Sequence, residues 1–118
     1  MKMILRAKYL ITGDGRTCLQ DQAVYLDKEG KIGWIGDAAE AMVKDYGEAT
    51  ILPGLFDMHV HFGYYYSQPD LDNYDDYMVA YYALEQAKQS LRLGITTVRD
   101  LSCPPNLMKQ LRLAGQKG

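Results

Sequence analysis

The chain has 118 residues, a net charge of −2 and a hydrophobic fraction of 47%. That apolar content suits one small domain and excludes a disordered or fibrous chain. Lys and Arg are scattered, which excludes the clustered positive charge of a nucleic-acid binder or of a protein docking on an anionic membrane.

In chain order, Met3 to Arg6 and Lys8 to Thr12 are expected as strands, and the turn residues Gly13-Asp14-Gly15 end the second of them. Ala23 to Leu26 alternates as a strand, Asp27-Lys28-Glu29-Gly30 is a polar turn, and Lys31 to Gly36 is the next strand, with Ile32, Trp34 and Gly36 on one face. Trp34 is expected in the core of this strand-rich part. Strands at this spacing predict a small sandwich or barrel. Residues 38–46 are expected as a short helix with Asp37 as cap and Gly47 as stop.

The character changes near residue 53. Leu55 to Phe62 is expected as a buried strand, since a strand apolar on both faces belongs in a parallel sheet covered by helices. A tyrosine-rich loop over 63–72 precedes a long amphipathic helix over 73–93. Its apolar stripe runs Tyr74, Tyr77 or Met78, Tyr81, Leu84 and Leu91, broken by Lys88. Asp72 or Asn73 is the expected cap, Asp75 and Asp76 sit in the first turn, and Gly94 ends the helix. Ile95 to Val98 is a second buried strand, and Pro104-Pro105 opens a helix over Asn106 to Leu113. This is a βαβ unit with a further helix after it.

Cys18 and Cys103 fit no paired-ligand spacing, and the N-terminal apolar run is interrupted by Arg6 and Lys8. No stretch approaches the ~20 apolar residues of a membrane-spanning helix. A soluble, cytoplasmic protein with no membrane partner is expected.

Chemistry concentrates in Pro53-Gly54-Leu55-Phe56-Asp57-Met58-His59-Val60-His61-Phe62-Gly63, which holds both histidines of the chain. Side chains on a strand alternate, so Asp57, His59 and His61 share a face, and two imidazoles there can share a divalent cation such as zinc. A bare His-x-His pair also arises by chance and serves metals in unrelated all-β folds. The spacing alone leaves these open.

The segment Ile51 to His61 resembles the first barrel strand of the amidohydrolase superfamily. Gly94-Ile95-Thr96-Thr97-Val98-Arg99-Asp100 resembles its second. The strand-rich start agrees too, since members begin with part of a small β-sandwich. The resemblance implies an α/β fold with a β-rich N-terminal part: a partial β-sandwich over 1–52, then over 53–118 the first two βα units of an incomplete TIM-type barrel. A complete barrel needs roughly 250 residues. His59 and His61 would be metal ligands at the C-terminal end of the first barrel strand, for zinc or another divalent metal, with one or two ions in the intact enzyme. Asp57 would orient an imidazole or serve as a structural carboxylate. Arg99 and Asp100 are expected as an ion pair or a cap at a strand–helix turn. Tyr64, Tyr65 and Tyr66 are expected to pack beside the core, outside the site, and Glu85 and Lys88 to be solvated helix charges.

The implied activity is metal-assisted hydrolysis of amide-type C–N bonds in a small-molecule substrate. The residue pattern is closest to the dipeptidase and imidazolonepropionase-like branches, although deaminases, dihydroorotases and hydantoinases share it. The family draws a lysine, two more histidines and an aspartate from later strands. No catalytic residue is therefore assigned within this chain, which is expected to be inactive alone. Its open strands are expected to need the remainder of the polypeptide or a second copy, as in a homo-oligomer. The alternative is a non-catalytic barrel remnant acting as an oligomeric or metal-binding module.

Overall fold

The computed structural model describes residues 3–37, 43–64 and 75–117. The chain divides into two compact units, Met1–Pro53 and Gly54–Gly118.

The first unit holds seven strands: β1 (Met3–Arg6), β2 (Tyr9–Ile11), β3 (Cys18–Gln20), β4 (Ala23–Leu26), β5 (Ile32–Gly36), β6 (Val43–Asp45) and β7 (Thr50–Ile51). They form a four-stranded sheet in the order β5-β4-β1-β6 and a three-stranded sheet in the order β3-β2-β7. Ala7, Leu10, Ala23 and Val24 are buried, and Leu5, Leu10, Val24, Ile35 and Ile51, drawn from both sheets, line one apolar cleft. Gly13 adopts φ +86°, and a Cβ there would sit 2.9 Å from the Pro53 ring, so the turn requires glycine on both counts.

Two expectations fail in this unit. Residues 43–45 of the expected helix are a strand, β6, which pairs parallel with β1 through Ile4–Val43, Leu5–Lys44 and Arg6–Asp45. A non-local partner satisfies this backbone, and local helical propensity gives way to it. Residues 38–42 of that helix lie outside the described residues. Trp34 is not core: it is 40% exposed and stacks on Tyr25 across β4 and β5, with ring centroids 5.9 Å apart.

The second unit contains β8 (Leu55–Val60), α1 (Asp76–Arg92), β9 (Ile95–Asp100) and α2 (Pro105–Lys117). The two strands pair in parallel, so α1 is their crossover. Asp75 caps α1, its carboxylate accepting from the amides of Tyr77 and Met78. The cap is thus neither Asp72 nor Asn73, which lie outside the described residues with Tyr74. Gly94, at φ +83°, ends the α1 turn.

The expected apolar stripe of α1 is not its covered face. Tyr77 is 85% exposed and Leu91 61%, whereas Ala83 is fully buried and Val79, Ala87 and Ser90 are half-buried beside it. Alanines let a helix approach the sheet closely, and the large side chains then occupy the other side. β8 is likewise open rather than buried: Phe56 is 69% exposed and Met58 53%. A strand with one pairing neighbour and one partly covered face cannot bury both sets of side chains. No helix among the described residues is long and apolar enough to cross a membrane.

Candidate metal centre

Both histidines sit at the C-terminal end of β8. His59 lies within the strand and His61 one residue beyond it. The strand alternation brings their rings to the same place: Nε2 of His59 and Nε2 of His61 are 3.0 Å apart, with the ring planes at 76°. Phe62, the next residue, is buried at 7% exposure and anchors the strand end.

Asp57 shares the histidine face, and its Oδ1 accepts the main-chain amide of His59 at 3.0 Å. The carboxylate therefore holds backbone, which is the structural alternative of the two expected. The segment after β9 completes the surroundings. Asp100 Oδ1 accepts the amides of Ser102 at 2.9 Å and Cys103 at 2.7 Å, and Oδ2 accepts the Phe62 amide at 2.9 Å. Asp100 is thus a cap, as expected, and its partners are main-chain amides rather than Arg99. Burial by itself raises the Asp100 carboxyl pKa. The three amides, aided by nearby His61, outweigh that and hold it below the usual carboxylate range.

One contact was not legible in sequence. Ser102 Oγ lies 2.6 Å from Nδ1 of His61, across 41 positions of the chain. No local pattern singles out a serine two residues past a strand-end aspartate. Cys103, beside it, has its thiol pKa pushed up by burial and by the Asp100 charge, so it stays protonated at neutral pH and offers no thiolate. Tyr64 is half exposed, its amide donating to the His61 carbonyl at 3.1 Å. Tyr65 and Tyr66 lie outside the described residues. Glu85 and Lys88 form an i,i+3 ion pair on α1 at 2.8 Å, so they are paired helix charges.

The pair of Nε2 atoms fits a divalent cation. Two metal–nitrogen bonds of about 2.0–2.1 Å reach across 3.0 Å with a bend at the ion. Among the described residues no group of three or more His, Cys, Asp or Glu converges to hold a metal, so the two imidazoles would be a partial ligand set.

The second unit is thus a parallel βαβ unit that carries two adjacent imidazoles at the carboxyl end of its first strand. The chain belongs to the amidohydrolase family, whose sequence profile matches residues 50–114, more than half of its length. No curated protein matches it. Among solved structures, a Xaa-Pro dipeptidase with methionine bound in its active site is similar to it at 28% identity and a TM-score of 0.82. The match covers 100% of this chain and 30% of that one. An amidohydrolase at 28% identity has a TM-score of 0.76, with 98% and 29% covered. A prolidase complexed with N-methylphosphonate-L-proline shares the fold at 22% identity and a TM-score of 0.73, with 96% and 29% covered. The chain thus spans under a third of the length of these relatives.

Proposed function

We propose that this chain is the N-terminal portion of a metal-dependent hydrolase of amide-type C–N bonds, and that His59 and His61 are two of its metal ligands. The observation that carries the reading is the 3.0 Å approach of their Nε2 atoms at the end of β8. Family membership and hydrolase relatives support it.

In this reading β8, α1, β9 and α2 are the first two βα units of a TIM-type barrel, and the chemistry takes place at the carboxyl ends of the strands. The remaining strands come from the rest of the polypeptide or from a second copy. The exposed faces of Phe56, Met58 and Leu55 support such a covering. A divalent cation, zinc or another, supplies activation of water and polarisation of the carbonyl when bound. The chain's own residues have three tasks: His59 and His61 bind, Asp57 fixes the His59 backbone, and Asp100 fixes the strand ends around them. A cytoplasmic setting, with Cys18 and Cys103 as thiols, belongs to the same reading.

The relative at 28% identity supports dipeptides with a C-terminal proline as the first substrates to assay. The full-length protein, loaded with zinc, is expected to hydrolyse members of a panel of dipeptides and N-acyl amino acids. His59→Ala should abolish that turnover, and the 118-residue chain alone should show none. Turnover that His59→Ala leaves intact would overturn the reading.

A further inference from the structure

We propose that Ser102 is a positioning residue for the metal centre: its hydroxyl accepts the Nδ1 proton of His61 and thereby presents the Nε2 lone pair to the cation. The inference rests on His59 and His61 being metal ligands.

A neutral imidazole carries one proton on one of two nitrogens, and only the other can bind a metal. A partner on Nδ1 decides which. Ser102 Oγ stands 2.6 Å from that nitrogen, and Nε2 of the same ring faces His59. With the proton on Nδ1 and donated to Oγ, Nε2 is the metal-binding atom. With the proton on Nε2, the ring closes the site to a cation.

The placement of Ser102 is built rather than incidental. Oδ1 of Asp100 accepts the Ser102 amide at 2.9 Å, and Oδ2 of the same carboxylate accepts the amide of Phe62, the residue after His61. One side chain therefore locates both ends of the Ser102–His61 contact. The hydroxyl is held by the turn after β9, and the ring by the end of β8. Among the described residues His59 has no comparable side-chain partner on Nδ1, so the effect of Ser102 falls on one ligand of the pair. Groups that orient a metal-binding histidine through its second nitrogen typically change metal affinity by about 10–100-fold when removed.

The test uses the full-length protein, with zinc affinity measured by competition against a chromophoric chelator. Ser102→Ala is expected to weaken zinc binding by about tenfold or more. Ser102→Thr, which keeps the hydroxyl, is expected to recover most of the loss. Nitrogen-15 NMR of the metal-free wild type at a pH where His61 is neutral should show its proton on Nδ1 and Nε2 unprotonated. If Ser102→Ala fails to fold, this tautomer decides. Wild-type affinity in Ser102→Ala, or a His61 proton on Nε2, overturns the assignment. If His59→Ala and His61→Ala both lower zinc affinity while Ser102→Ala does not, only the role of Ser102 falls. If neither histidine variant lowers it, the metal centre itself falls and Ser102 with it.

Discussion

The main-chain amide of Phe62 donates to Oδ2 of Asp100 at 2.9 Å, tying the end of β8 to the end of β9. The same carboxylate holds the amides of Ser102 and Cys103, so three part-buried donors depend on one side chain. Asp100→Asn keeps the shape but removes the charge and one acceptor. It should cost about 1–3 kcal/mol of stability at neutral pH, measured by urea unfolding.

Asp100 also makes stability depend on pH. The folded carboxyl pKa lies below its unfolded value, which is about 3.9. The contribution of Asp100 is therefore fully present above the unfolded pKa and is lost as pH falls through the folded one. The stability difference between wild type and Asp100→Asn should be flat above about pH 5 and shrink below about pH 4. A difference that stays constant down to about pH 3 would contradict the assignment.

Gly54 precedes β8, and a Cβ there would clash with Thr96 Oγ1 and lie 2.7 Å from Thr96 Cβ on the neighbouring strand. Rotation of the threonine relieves the first contact but not the second. Gly54→Ala should destabilise the second unit by about 1–3 kcal/mol through overpacking. A melting temperature equal to wild type would show that the strands separate more easily than this packing implies.

Asp75 accepts from the amides of Tyr77 and Met78 at 3.1 and 3.0 Å. Asp75→Ala should cost about 0.5–2 kcal/mol, and Asp75→Ser should restore most of it. Glu85→Gln removes only a solvent-screened ion pair with Lys88 and should leave the melting temperature unchanged. Thermal unfolding of the three variants checks the order.

The legible parts of this fold were those whose signal is local. Gly13 and Gly94 mark turns that need positive φ, and the alternation from Asp57 to His61 is enough to put two imidazoles on one face. The hidden parts depend on distant partners. Val43 to Asp45 is a strand only because β1 lies alongside it. Trp34 is half exposed because Tyr25, not the sheet interior, receives its ring. On α1 the large apolar residues suggested the inward face, yet Ala83 is the buried contact, because close approach favours the small side chain. Ser102 reaches His61 only through the turn that Asp100 sets.

Metal analysis of the full-length protein, expressed with zinc and dialysed, bears most directly on the paired histidines. The wild type should carry at least one divalent ion per chain, and the His59→Ala/His61→Ala double variant should lose at least one equivalent while keeping its fold. Equal metal content in the two proteins would contradict the assignment of these imidazoles as ligands.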